Sequence, residues 1–248
     1  MEPEPEPEPE LEPEPELQPA DLVRGVATAL KSRLPNTPSG PARDALSEQL
    51  DGWLGTMKLI IYGKQGQEPE PSRVAELRAA MLQPETECLS CMIVHHEQAA
   101  FESRKVIALM VSHMLRKYPP TADYIKQQPH IMVRLVEGYS DAEIALTCGG
   151  MLRECLQKEP LCMQVARSRD MLQRLVDAVQ LPNFDVATDA FSSFREVLTL
   201  HKTQQFAQWM DEHYDQLFAH FAKLHKCENY VTRRLSMKLV GEILLDRN

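Results

Sequence analysis

The sequence predicts an all-α chain whose helical repeats stack into a solenoid of the armadillo or HEAT kind. Three observations predict it. Apolar residues recur at three- and four-residue spacing from Ala20 onward, which is the period of a helix with one buried face. No segment alternates apolar and polar residues over the length of a strand. The chain also repeats: Asp141–Leu156 (DAEIALTCGGMLRECL) and Phe184–Leu198 (FDVATDAFSSFREVL) bring Arg153–Glu154 onto Arg195–Glu196 at an offset of 42, and Asn183–Phe184 falls on Asn229–Tyr230 at an offset of 46. A period of roughly 40–47 residues marks two- or three-helix repeats. One such unit cannot bury its own apolar face, so neighbours must stack.

Residues 1–19 (MEPEPEPEPELEPEPELQP) form a first unit, a Glu-Pro tail. Charge repulsion and the missing proline donors predict a disordered, solvated segment. An acidic docking tail is the functional alternative. The tail holds eight glutamates and no cation, so of the net charge of −9 only about −1 belongs to the rest. The second unit, residues 20–248, is the helical-repeat domain.

Ala20–Leu34 carries Leu22, Val23, Val26, Leu30 and Leu34 at helical spacing, and PNTPSGP (35–41) breaks it. Ala42–Tyr62 is the second helix, Gly63–Pro71 a loop, and Ser72 the expected cap of a helix through Leu82. Glu85–Tyr118 reads as two helices with a break near His95–Gln98, closed by Pro119–Pro120. Thr121–Tyr139 is a short pair interrupted at Pro129. Ser140 is expected to cap Asp141–Gln157, with Gly149–Gly150 and Pro160 as interruptions. Pro160 starts a helix, and Arg169–Gln180 continues the pattern. Leu181–Pro182–Asn183 leads into the second repeat helix. Thr203–Lys226 holds Phe206, Trp209, Met210, Tyr214, Leu217, Phe218 and Phe221, a broad apolar stripe.

The last stretch, Cys227–Asn248, organises the rest. Glu228 or Asn229 can cap a helix over Tyr230–Asp246, because their side-chain oxygens accept from free first-turn N–H groups. Val231, Leu235, Met237, Leu239, Val240, Ile243 and Leu244 occupy most of its circumference, which predicts burial on more than one side. Arg234, Lys238 and Gly241 form one ridge. That narrow basic sector is expected to face outward, with Arg247 beyond it.

Composition excludes several classes. There is no basic field of the kind nucleic-acid binders carry, no apolar run near the ~18 residues of a membrane span and no signal-peptide pattern. Cys88, Cys91, Cys148, Cys155, Cys162 and Cys227 read as reduced, mostly buried thiols of a cytoplasmic protein. Cys88, Cys91, His95 and His96 (CLSCMIVHH) have zinc-ligand chemistry. They crowd into nine residues, however, and one helical turn cannot surround an ion, so no metal and no cofactor are expected. No phosphate loop, metalloprotease, hydrolase, kinase or calcium-loop motif occurs, so no catalytic residue is assigned.

Four blocks carry a resemblance: GYSDAEIALTCGGMLREC (138–155), FDVATDAF (184–191), HYDQLF (213–218) and ENYVTRRLSMKLVGEILLDRN (228–248). Together with PADLV (19–23) and MKLIIYG (57–63) they are similar to the Mo-25 (calcium-binding protein 39) scaffold family. The resemblance implies a right-handed stack of helical repeats, distantly armadillo-like, that serves as a non-catalytic adaptor, monomeric apart from its partner. It would bind a pseudokinase, or a kinase of the germinal-centre (sterile-twenty-like) group, on its concave surface, activate it and thereby serve signal transduction. Matched residue by residue, the family's contacts would be Phe184, Tyr230, Arg234, Lys238 and Arg247. The Glu-Pro tail and Gln83–Ala100 depart from the family. The chain is also expected to lack the family's C-terminal repeats, which carry a pocket for a partner tail. The alternatives are an armadillo-type adaptor for a non-kinase partner and a small zinc-binding protein.

Overall fold

The computed structural model describes residues 17–64 and 66–245. Every regular element among them is helical, and no strand occurs. Proline fixes several starts. It sits in the first turn of α1 (Pro19–Thr28), α3 (Pro41–Tyr62), α4 (Pro71–Met81), α7 (Pro120–Lys126), α8 (Pro129–Glu137) and α10 (Glu159–Arg167), where its missing N–H costs nothing. α1 continues through a π-turn (Ala29–Arg33) into α2 (Leu34–Asn36). Pro35 has no N–H for the ordinary bond, and a widened turn gives its ring room.

The remaining helices are α5 (Cys88–Val94), α6 (Phe101–Lys117), α9 (Ala145–Leu156), α11 (Arg169–Ala178), α12 (Phe184–Thr199), α13 (Gln204–Glu212), α14 (Tyr214–His225) and α15 (Tyr230–Leu245). The repeat expected from sequence is present as three-helix units in rows. α3, α6, α9, α12 and α15 lie side by side as successive rungs; α1, α5, α8, α11 and α14 form a second row behind them. Between the rows runs one continuous core of leucine, valine, methionine and cysteine, including Leu77, Met114, Leu135, Leu152, Val165 and Phe194.

Several local expectations are corrected. Ser72 does not cap α4: it is already inside the helix, and its hydroxyl donates to the Glu70 carboxylate. Ser140 likewise caps nothing, since Gly138–Ser140 forms a 3₁₀ turn and α9 starts only at Ala145. The apolar stripe of Thr203–Lys226, whose helix count the spacing leaves open, is carried by two helices that meet at His213, where Nδ1 lies 2.9 Å from the Trp209 carbonyl oxygen and the ring stacks on Trp209. Gly149–Gly150 does not interrupt α9. The space over Gly149 is filled instead: a Cβ there would collide with Asp189 Oδ2 and lie 2.5 Å from the Tyr139 hydroxyl.

The cap expectation holds at Asn229 and not at Glu228, and Asn183, aligned with Asn229 in sequence, proves to cap in the same way. The Asn183 amide oxygen accepts from Asp185 and Val186 N–H, and Asn229 does the same for Val231 and Thr232. The two asparagines aligned in sequence therefore do the same work at the starts of α12 and α15.

Candidate functional site

The rungs run parallel and in register, because polar pairs tie early residues to early and late to late. Arg104 pairs with Glu143, and Arg116 holds Glu154 through both carboxylate oxygens. Arg153 reaches Asp189 at 2.7 Å, and Arg195 Nη2 reaches Glu242 at 2.9 Å. The arginines that aligned in sequence, Arg153 and Arg195, thus each clamp the following rung.

The most closely built of these contacts lies between α9 and α12. The Tyr139 hydroxyl donates to Asp189 Oδ2 at 2.7 Å and lies 2.8 Å from Ser193 Oγ. Arg153 donates to the same Asp189 oxygen. Burial, with the Asp189 charge beside it, pushes the Tyr139 phenol far above its ordinary value, so it stays protonated and donates. Two donors converge on a carboxylate that is largely shielded from solvent.

Phe184 and Tyr230 open α12 and α15, and they are 56% and 66% exposed. Arg234 and Lys238 follow Tyr230 at one and two turns, both exposed. Among the described residues neither forms a hydrogen bond or ion pair. Lys238 borders a groove of about 450 Å³ between α12 and α15, lined also by Phe191, Arg195, Leu235 and Glu242. A second groove, about 580 Å³, lies one rung earlier between Arg116, Arg153, Glu154 and Glu196. There burial raises the Glu196 carboxyl, with Arg153 opposing it. The structure thus brings four of the five expected contact residues together on two adjacent rungs. The fifth, Arg247, lies outside the described residues.

The exposed sector of α15 is wider than expected. Only Thr232, Ser236 and Leu239 are buried, and Met237 is 64% exposed, as are Leu244 and Leu245 to a similar degree. The helix is packed on one side, not on several. Its buried stripe accommodates Ser236 because the hydroxyl donates to the Arg233 carbonyl within the helix, and a polar group satisfied locally can be buried at little cost.

The cysteine–histidine stretch is spent on packing. His96 is fully buried; its Nδ1 lies 2.9 Å from the Ile93 carbonyl oxygen and its Nε2 3.5 Å from Cys148 Sγ. The Cys88 thiol donates to the Met92 sulfur. Burial raises the Cys88 thiol and pushes Cys148, Cys155 and Cys162 to about 12, so none is a thiolate at neutral pH. Among the described residues no group of three or more His, Cys, Asp or Glu side chains could hold a metal ion, and no helix is long and apolar enough to cross a membrane.

Comparison with known proteins agrees with this architecture. The Mo25-like family profile matches residues 12–248. MO25-like protein 2 of Caenorhabditis elegans is 37% identical over 237 residues, covering 93% of this chain and 69% of that protein. Calcium-binding protein 39-like of Homo sapiens is 37% identical over 209 residues, 83% of this chain and 61% of its own length. The Mo25-like protein of Schizosaccharomyces pombe is 34% identical over 226 residues, 90% and 68%. The match therefore spans about two thirds of each relative. Rows of three-helix units, capped alike and tied by arginines at equivalent positions, together with these identities make the chain a member of the Mo25-like family.

Proposed function

We propose that the chain is a non-catalytic scaffold that holds a protein kinase or pseudokinase domain against the exposed face of its rungs, stabilising the active arrangement of that partner. One observation carries the reading. Two aromatic residues, Phe184 and Tyr230, stand exposed at the starts of neighbouring rungs, beside two cations that pair with none of the described residues. A folded chain gains nothing from holding aromatic rings in water, whereas aromatic and arginine side chains are the groups that dominate binding energy at interfaces. Arg234 offers a planar fork that pairs with a carboxylate through two hydrogen bonds. The family supports the kinase fold as the partner class, and Arg247 would extend the same contact set.

The test is calorimetric titration with a purified germinal-centre-group kinase domain and, separately, with a pseudokinase domain. Arg234→Ala and Phe184→Ala should each weaken binding by about 1–3 kcal/mol, with unchanged melting curves. Wild-type affinity in both variants would place the interface elsewhere. Failure of the wild-type protein to bind either domain would overturn the kinase reading.

A further inference from the structure

The exposed apolar row does not stop at α12. Arg153 meets Asp189 across 36 residues of sequence and Gln157 meets Glu196 across 39. The same offsets put Leu146, the second residue of α9, level with residues 182–185, and so with Phe184. Arg195 meets Glu242 across 47 residues, which puts Phe184 level with Val231, next to Tyr230. Leu146 is 52% exposed, although its neighbours Ala145, Cys148 and Gly149 are buried. Leu146, Phe184 and Tyr230 therefore form a row across three rungs. Adjacent helix axes lie about 10 Å apart, so the row spans roughly 20 Å.

Charge is distributed unevenly along it. Asp141 and Glu143 precede Leu146, and Asp185 follows Phe184, all exposed. Among the described residues the Glu143 carboxylate pairs only with Arg104, at 3.5 Å, and Asp141 spends one oxygen on the Glu143 N–H. The cations Arg233, Arg234 and Lys238 lie at the other end, on α15. The face is thus bipolar in balance: carboxylates around Leu146, and around Tyr230 the cations Arg233, Arg234 and Lys238 outnumbering one exposed carboxylate, Glu228.

We propose that the docking surface runs back from α15 and α12 to Leu146, and that the partner meets this end with an apolar side chain flanked by a basic group. The inference rests on the kinase-scaffold reading and adds a third anchor and a polarity to it. A surface with opposite charges at its two ends accepts a partner in one orientation, because the reversed arrangement sets like charges together. Leu146 supplies the apolar contact, and Asp141 with Glu143 supply the complement to the partner's cation.

The test adds three variants to the titration with the kinase domain. Leu146→Ala should weaken binding about fivefold or more. The double charge reversal Asp141→Lys with Glu143→Lys should weaken it further at low salt than at high salt, since screening removes the repulsion. Leu146→Ala combined with Phe184→Ala should weaken binding by close to the product of the single effects, as separate anchors do. Melting curves control for folding. If Phe184→Ala weakens binding while Leu146→Ala and the charge reversal bind like wild type, the surface ends at α12 and this inference fails, with the scaffold reading intact. If wild type does not bind, both fall together.

Discussion

The Arg153 guanidinium lies 2.7 Å from the Asp189 carboxylate, on the same oxygen that accepts the Tyr139 hydroxyl. This pair joins two successive repeats where the sequence shows only a conventional-looking arginine and an aspartate in the middle of a helix. Both side chains are mostly shielded, so removing the carboxylate strands a cation and a phenol together. Asp189→Ala should destabilise the chain by about 3 kcal/mol, as for other broken buried pairs. Asp189→Asn keeps an acceptor for Tyr139 but no charge for Arg153, and should cost less. Urea unfolding of both variants checks the order; equal, small effects would show that the network contributes little.

Gly149 and Gly150 are adjacent in α9 and should respond oppositely to alanine. At Gly149 the new methyl would meet Asp189 and Tyr139, whereas at Gly150 nothing lies within 4 Å. Gly149→Ala should therefore cost about 2 kcal/mol or more, the range of overpacking plus a disturbed polar network. Gly150→Ala should stabilise by about 0.5–1 kcal/mol, because alanine loses less backbone freedom on entering a helix. Thermal melts of the two variants should move in opposite directions.

How much of this was legible follows from what each signal depends on. The repeat, the Asn229 cap, the alignment of Asn183 with it and the equivalence of Arg153 and Arg195 depend on local chemistry and spacing, and all were readable. The glycine pair was read as a break because glycine lowers helix propensity. What overrides propensity there is a side chain from the next repeat, 40 residues further on, and nothing local announces it. The one-sided packing of α15 was missed for a related reason. Helical projection counts apolar residues, but it cannot tell which of them a neighbour covers. Of its residues, Ser236 is buried and Met237 exposed. The row through Leu146 was likewise hidden, because its register is set by ion pairs between rungs.

His96 makes stability depend on pH. Burial lowers its pKa below the ordinary 6.5; the Ile93 carbonyl and Glu97 oppose this, while Arg134 and Arg104 add to it. Above about pH 6.5 the ring is neutral folded or unfolded, and its contribution is present in full. As pH falls below that value the unfolded chain takes up a proton that the folded chain refuses. Stability is then lost until pH reaches the depressed folded value. His113 and His220 are lowered in the same direction by burial, so a variant comparison isolates His96. His96→Gln should be less stable than wild type at pH 8, with the gap narrowing toward pH 5. Urea titrations across that range check it, and parallel curves would assign the pH dependence to other groups.

The last prediction concerns α15, where the partner surface and the packing surface share one short helix. Leu239 is 1% exposed and Met237 64% exposed, although both are apolar and only Lys238 separates them. Leu239 packs into the core with Val240 and Ile243 against it. Leu239→Ala removes buried methyl groups and leaves a cavity, which costs about 2–5 kcal/mol in well-packed cores. Met237→Ala removes a side chain that mostly meets water, and should change stability by less than about 0.5 kcal/mol. Because α15 buries only three of its residues, its amides should also exchange faster than those of α9 and α12, through local opening below the global unfolding free energy. Arg195 and Glu242, which tie α15 to α12, keep about half and a third of their side-chain surface in water, so Glu242→Ala should cost under about 1 kcal/mol globally. It should nevertheless speed exchange in α15 selectively, since it releases one of the few ties that helix has to its neighbouring rung. Hydrogen exchange read by mass spectrometry, with α9 peptides as the internal reference, separates the two effects. Uniform acceleration across all rungs would mean that α15 opens only with the whole stack.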